Sequence, residues 1–87
     1  MRVLVTGAFE GRAGFGEALV DELLQLGVQV GTLNREDSEA RERAKAWKGL
    51  VGQVWTRSWN SGGMDHALRH VDVVIHCSEM GPRVRAR

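Results

Sequence analysis

The chain has 87 residues, 43% of them hydrophobic and 26% charged, and a formal net charge of +1 at pH 7. That length fits one small domain of ordinary globular composition, and no apolar run approaches the roughly 20 residues of a membrane span, so no membrane partner is predicted. A single cysteine excludes an internal disulfide and, without a signal-peptide pattern, predicts a cytoplasmic protein.

The first half of the chain alternates strand and helix patterns. Residues 2–6 form an apolar run that predicts a buried parallel strand. Apolar residues then recur at helical spacing over residues 15–26, and Gly27 follows where a left-handed helix cap is expected. Residues 28–33 predict a second strand. Residues 36–48 predict a surface helix, because acidic residues crowd its first turn and lysines its last.

The second half continues the alternation. Residues 51–57 predict a weak third strand, and residues 71–77 give the strongest strand signal of the chain. Between them, four apolar residues at helical spacing predict a third helix: Met64, Ala67, Leu68 and Val71. Strands that alternate with helices predict an α/β domain with a four-stranded parallel sheet and right-handed crossovers. This domain is predicted over residues 1–81, and residues 82–87 are predicted to form a basic, disordered tail.

The loop between the first strand and the first helix is rich in glycine, and from Thr6 to Gly16 it reads TGAFEGRAGFG. Unpaired N–H groups and the helix dipole make a helix N-terminus suited to a pyrophosphate, and glycine lets the backbone approach it closely. Gly7 is expected to make the tight turn, while Gly14 and Gly16 allow phosphate approach and close helix–strand packing. The alternative is a glycine-rich loop that only connects the two elements.

Three segments resemble the short-chain dehydrogenase/reductases, in particular their extended branch, the NAD-dependent epimerase/dehydratases: RVLVTGA (2–8), GFGEALVDELLQLGVQV (14–30) and VDVVIHCS (71–78). The resemblance covers nearly the whole chain and implies the cofactor-binding half of a Rossmann fold, with sheet order 3-2-1-4. The loop is about three residues longer than the TGxxGxxG of the extended branch. In the TGxxxGxG of the shorter branch, Gly7 and Gly11 fit, but Ala13 stands at the last glycine.

The resemblance implies NAD or NADP as the cofactor, and we predict that NADP binds more tightly. An acidic residue at the end of the second strand favours NAD by accepting hydrogen bonds from the ribose. Asn34 stands at that position and does not repel a phosphate. Arg35 follows it and Arg12 lies in the loop, and a guanidinium suits a 2′-phosphate. The alternative is that Arg35 pairs with Glu36 or Asp37 in solvent.

The end of the fourth strand is the other predicted contact region. In the family this point faces the ribose and the nicotinamide, which implies contacts from Cys77 and Ser78. A buried His76 beside a packed Cys77 is the rival reading. The full set of predicted cofactor-binding residues is Gly7, Gly11, Arg12, Gly14, Phe15, Gly16, Asn34, Arg35, Cys77 and Ser78.

Two other residue pairs have a structural reading that is favoured over a functional one. Trp55 and Trp59 can stack on a base, but covering the small core is the favoured role. His66 and His70 lie four residues apart on the third helix, where a solvated face is favoured because no third ligand is in view. No metal site is predicted.

Catalysis in the resembling family implies a tyrosine with a lysine beside it and a serine or threonine that assists. The chain contains no tyrosine, and Lys45 and Lys48 both lie on the charged second helix. We therefore predict no catalytic residues and no oxidoreductase activity for this chain alone. The leading prediction is a dinucleotide-binding module, a truncated or alternatively terminated product of a longer gene. The alternative is a small non-enzymatic Rossmann-like protein that senses a nucleotide or binds a protein partner.

The sheet order also predicts a partner. In the order 3-2-1-4 the fourth strand lies at the edge of the sheet with unpaired backbone groups, which favour pairing with another chain. We expect self-association or a completing protein segment at this edge. No nucleic-acid partner is predicted, because the tail arginines make few phosphate contacts and lack an aromatic platform.

Overall fold

A computed structural model of the protein describes residues 1–10, 14–57 and 67–77, together with the backbone of residues 83–86. Its centre is a five-stranded sheet in the order β3-β2-β1-β4-β5. The strands are β1 (Arg2–Thr6), β2 (Gln29–Arg35), β3 (Gly52–Thr56), β4 (Val73–His76) and β5 (Arg83–Ala86). The first four strands are parallel, which confirms the predicted four-stranded parallel sheet of order 3-2-1-4.

Two α-helices are present in the described part of the chain: α1 (Phe15–Gln25) and α2 (Ser38–Ala44), the latter followed by a 3-10 turn over Lys45–Trp47. As predicted, Gly27 follows the end of α1 in the left-handed conformation, and its φ of +78° is a value that glycine adopts easily. At the start of α2, the Asp37 carboxylate accepts a hydrogen bond from the Glu39 N–H at 3.0 Å. This N-cap places the helix start two residues after the predicted one.

The third predicted helix falls largely outside the described residues. Only its end is described, from Ala67 onward, where the chain turns into β4 through His70 with a φ of +58°. Three of its predicted apolar residues are nevertheless described. They pack against the core cluster on one face of the sheet: Ala67, Leu68 and Val71.

Apolar side chains cover both faces of the sheet, because successive residues of a strand point to opposite faces. On one face, strand residues pack under the helices in a cluster that includes Val3, Val5, Val30, Ile75, Val20, Ala40 and Ala44. The other face carries a smaller cluster of Leu4, Leu33 and Val74. Phe9, in the glycine loop, is the largest fully buried side chain, and its ring centroid lies 5.6 Å from that of Trp47.

The C-terminal region differs from the prediction. Residues 82–87 are predicted to be a disordered tail, but Arg83–Ala86 form β5, antiparallel to β4. The chain reverses direction between His76 and Arg83, so β4 is paired on both sides and is not an edge strand. Four residues of alternating charge and small apolar character are too short a pattern to distinguish a strand from a frayed end. Within the described structure, β3 and β5 are the edges.

No helix in the part of the chain that the structure describes is long and apolar enough to cross a membrane.

The buried ring of Phe9 allows a test of how the glycine loop is anchored. Phe9→Ala should lower the free energy of unfolding by about 3–5 kcal/mol, because it removes a fully buried aromatic side chain and leaves a cavity. The matched control is Phe15→Ala, since the Phe15 side chain is 49% exposed and its loss should change stability by about 1 kcal/mol or less. Urea unfolding followed by circular dichroism measures both. Equal effects of the two variants would contradict the buried position of Phe9.

Candidate functional site

The chain turns sharply where β1 ends. Gly7 has a φ of +69°, and its N–H donates to the Leu33 carbonyl oxygen at 2.7 Å. A Cβ atom at Gly7 would lie 2.8 Å from the Cys77 carbonyl oxygen, which is closer than real Cβ contacts come. The turn therefore passes between the ends of β2 and β4, and only glycine satisfies both its φ and the available space.

The loop then enters α1 through two further glycines. Gly14 is the N-cap residue with a φ of +92°, and within the described residues nothing lies within 4 Å of the Cβ position it lacks. Gly16 is buried, and a Cβ there would collide with the carbonyl oxygen of Ala8. Gly16 thus lets the helix pack directly against the loop backbone, and Gly14 allows the positive φ of the N-cap.

This geometry fits a pyrophosphate. The first intrahelical backbone bond at this end runs from the Ala18 N–H to the Gly14 carbonyl at 3.0 Å, so the amide groups of the preceding turn have no carbonyl acceptor within the helix. Such amides and the helix dipole attract an anion. The site lies at the carboxyl ends of parallel strands, next to the point between β1 and β4 where the strand order reverses.

An ion pair controls the charge at this helix N-terminus. The Glu17 carboxylate, in the first turn of α1, accepts two hydrogen bonds from the Arg43 guanidinium at 2.8 and 2.6 Å. Both side chains are only 15% exposed. The hydrogen bond from Arg43 lowers the pKa of Glu17, which keeps the carboxyl group ionised. Oε1 of Glu17 also accepts a hydrogen bond from the Gly14 N–H at 3.2 Å, so the carboxylate occupies one amide of the helix N-terminus while Arg43 neutralises its charge.

Asn34 lies inside the sheet rather than at its open end, because β2 continues two residues beyond its predicted end. Its side chain is fully buried, and Nδ2 donates to the Thr32 hydroxyl at 3.1 Å. Thr32 in turn donates to the Gly52 carbonyl at 3.3 Å. Oδ1 of Asn34 has no hydrogen-bond partner in the part of the chain described. Because this side chain is fully buried, the predicted contact of Asn34 with a ribose is not formed at the surface of this structure.

Arg35 ends β2 with an exposed side chain. The alternative that it pairs with Glu36 or Asp37 is not seen, because Glu36 forms an ion pair with Arg41 and Asp37 caps α2. The backbone N–H of Arg35 donates to Oε2 of Glu10 at 3.1 Å. Glu10 was not among the predicted site residues, because the path of a loop is not visible in a sequence pattern.

At the end of β4, the Cys77 N–H donates to the Thr6 carbonyl at 2.9 Å, and burial raises the pKa of the Cys77 thiol. Cys77 also packs against the main core cluster, as the rival reading of this residue expects. His76 Nδ1 lies 2.8 Å from the Thr6 hydroxyl. These contacts bind β4 to the start of the glycine loop.

Several predicted residues lie outside the described part of the chain: Gly11, Arg12, Ser78, Trp59 and His66. The packing role favoured for Trp55 is confirmed, because its side chain packs against the core and the Arg41 guanidinium carbon lies 4.4 Å from its ring centroid. A ring covered in this way offers one face fewer to a base.

A cavity of about 520 Å³ lies at the opposite end of the sheet, lined by residues that include Arg2, Gln29, Leu50, Val54 and Val71. Arg2, Gln29, Leu50 and Val71 lie at the amino-terminal ends of the strands or just before them, and Val54 lies in the middle of β3. Dinucleotides bind at the carboxyl ends of strands in such sheets, so this cavity is separate from the candidate site.

The chain is similar to several plant proteins. It is 35% identical over 74 residues to Senescence-associated protein 13 of Arabidopsis thaliana, a match that covers 85% of this chain and 26% of that protein. One tropinone reductase homolog of the same organism is 39% identical over 74 residues, again 85% of this chain and 26% of the relative. Another is 41% identical over 56 residues, which is 64% of this chain and 20% of the relative.

The chain thus spans about a quarter or less of the length of the curated relatives it matches. No protein-family model matches it, and no solved structure matches it at a significant level. The partial similarity to reductase homologs supports the resemblance to short-chain dehydrogenase/reductases. It does not extend to the epimerase/dehydratase branch, which stays a prediction.

The Glu17–Arg43 pair predicts a pH dependence of stability. Glu17→Gln should lower the free energy of unfolding by about 2 kcal/mol at pH 7, between the values typical of exposed and of buried pairs. Because the pKa of folded Glu17 is below its ordinary value of 4.5, this contribution is present above about pH 5 and is lost as the pH falls through the lowered pKa.

Chemical denaturation at several pH values between 3 and 7 measures the difference between wild type and variant. Glu42→Gln is the control, because Glu42 pairs with Lys45 on the surface at 2.8 Å with both side chains about 70% exposed. That variant should lose about 0.5 kcal/mol or less. A difference for Glu17→Gln that does not shrink toward acidic pH would contradict the role assigned to the pair.

Proposed function

We propose that the chain is the dinucleotide-binding part of a short-chain dehydrogenase/reductase. The observation that carries the proposal is the entry into α1, where Gly14 has a positive φ with free space at its missing Cβ among the described residues and Gly16 packs against Ala8. A connecting loop alone requires neither feature. The parallel sheet of order 3-2-1-4 places this entry beside the point where strand order reverses, which is where such folds hold a dinucleotide.

In this proposal the amide groups at the start of α1 bind the pyrophosphate of NAD or NADP. Gly7 turns the loop so that it passes under the cofactor, and Phe15 presents a half-exposed ring beside the phosphate position. Arg35, at the end of β2, lies at the adenosine side, and Cys77 at the nicotinamide side. Gly11, Arg12 and Ser78 remain proposed contacts on the strength of the sequence. A nicotinamide dinucleotide, when bound, donates or accepts hydride.

The glycine spacing favours the shorter branch of the family over the extended one. Gly14 and Gly16 keep the one-residue spacing of the last two glycines in TGxxxGxG, and the loop has six residues between Gly7 and Gly14 where that pattern has three. The relatives also carry reductase names. We therefore propose reductase chemistry for the whole protein, with the catalytic groups outside this chain. Epimerase or dehydratase chemistry is the less favoured alternative.

The alternative of a protein that assembles through an open β4 edge has less support, because β5 occupies that edge. Self-association, if it occurs through the sheet, would use β3 or β5.

A matched pair of charge substitutions at the two ends of α1 tests the proposal. Gly14 and Gly27 both have a positive φ, and both have open space at the missing Cβ within the described residues. Gly14→Asp places a carboxylate beside the proposed pyrophosphate, and Gly27→Asp places one at the far end of the helix. We expect Gly14→Asp to weaken NAD and NADP binding at least about tenfold, because charges roughly 4 Å apart near a protein surface interact strongly.

Isothermal titration calorimetry with NAD, NADP and ADP measures the dissociation constants of the wild-type chain and both variants. Gly27→Asp should bind within about threefold of wild type, since the two substitutions strain the backbone alike. Failure of the wild-type chain to bind any of the three nucleotides contradicts the proposal. Equal weakening by the two variants would show that strain, rather than charge at the helix N-terminus, explains the loss.

A further inference from the structure

Glu10 reaches the end of β2 from the glycine loop. Its Oε2 accepts a hydrogen bond from the Arg35 N–H at 3.1 Å, and the same oxygen lies 3.4 Å from where a Cβ of Gly7 would be. The carboxylate is therefore held between the turn after β1 and the last residue of β2. In sheets of this kind the end of the second strand meets the adenosine ribose, so Glu10 lies where that ribose is expected.

The backbone geometry explains why a carboxylate is held there. Alternate residues of β2 bond to opposite neighbours: the Leu33 carbonyl accepts from Gly7 on the β1 side, and the Glu36 N–H donates to Thr56 on the β3 side. The Arg35 N–H thus points toward β1, which has already turned away. Glu10 supplies the missing acceptor with one oxygen, and among the described residues no hydrogen bond engages the second oxygen, which can accept from a ligand hydroxyl.

We infer that Glu10, a residue of the loop, is the residue that discriminates between the two dinucleotides, and that it disfavours the 2′-phosphate of NADP. This inference rests on the proposed function. A carboxylate accepts a hydrogen bond from the 2′-hydroxyl of NAD, whereas it repels a 2′-phosphate at the same place. The sequence pattern locates the residue that selects between NAD and NADP at Asn34. The Asn34 side chain, however, is fully buried and hydrogen-bonded to Thr32.

Glu10 acts against the side chain of Arg35, the last residue of β2. The exposed guanidinium of Arg35 attracts a 2′-phosphate, and the predicted preference for NADP depends on that attraction. The Glu10 carboxylate, bonded to the backbone of the same residue, reduces it. Glu10 lies three residues after Gly7, and this short span holds its side chain next to the turn after β1.

The test is the ratio of the dissociation constants for NADP and NAD, measured by calorimetry on the full chain. Glu10→Gln keeps one oxygen that can accept from the Arg35 N–H and replaces the other by an amide NH2 that can donate to a hydroxyl oxygen, but it removes the negative charge. We expect the ratio to fall at least about tenfold in this variant, through tighter NADP binding with NAD binding nearly unchanged. Glu10→Asp keeps the charge and should leave the ratio within about threefold of wild type.

Glu22→Gln, on the exposed side of α1, controls for the loss of one negative charge from the protein and should also leave the ratio unchanged. Circular dichroism checks folding, and Glu10→Ser replaces Glu10→Gln if the latter is unfolded. If Glu10→Gln binds both dinucleotides with the wild-type ratio, or weakens both equally, Glu10 only holds the loop and the inference is overturned while the proposed function stands. If wild type and variants bind neither dinucleotide, the proposed function fails and the inference with it.

Discussion

The candidate site depends on one close approach, that of Gly16 in α1 to the carbonyl group of Ala8 in the loop. Any side chain at residue 16 would occupy the space of that carbonyl. With the contact in place, the axis of α1 starts directly beside the end of β1, and its free amide groups face the carboxyl edge of the sheet. The buried side chain of Phe9, next to Ala8, fixes the same stretch of loop in the core. Backbone packing at Gly16 and burial of Phe9 therefore both fix the position of the loop relative to α1.

Electrostatics at this edge are balanced by pairs of side chains rather than by a net excess of one charge. Glu17 lies in the first turn of α1, where its carboxylate accepts from the Gly14 N–H, and the Arg43 guanidinium binds both of its oxygens and neutralises its charge. At the end of β2, the Glu10 carboxylate accepts from the backbone N–H of Arg35, whose own side chain carries the opposite charge. A chain with a net charge of +1 can therefore present a local anion site that its overall composition does not reveal.

The sequence predicts regular elements well here because periodicity reports burial directly. The run 2–6 and the helical spacing over 15–26 correspond to β1 and α1 within one residue, and the strand order follows from their alternation. Contacts made by irregular backbone are not predicted. The sequence predicts an end of β2 that is two residues too early, because Asn34 and Arg35 are polar. Both residues nevertheless continue the pairing of β2 with β3. β5 and the reach of Glu10 depend on a chain reversal and a loop path that no short pattern encodes.

The site joins segments that are distant in the sequence, and this links ligand binding to folding. Gly7 turns against the carbonyl of Cys77, Cys77 donates to Thr6, and the Glu10 carboxylate closes over the end of β2. A chain of this size buries only about 60% of the surface that it exposes when unfolded, so its stability is small. A dinucleotide that binds only when these three strand ends are assembled adds its binding free energy to the stability of the sheet. In this chain, the same short hydrogen bonds that shape the site therefore hold β1, β2 and β4 together.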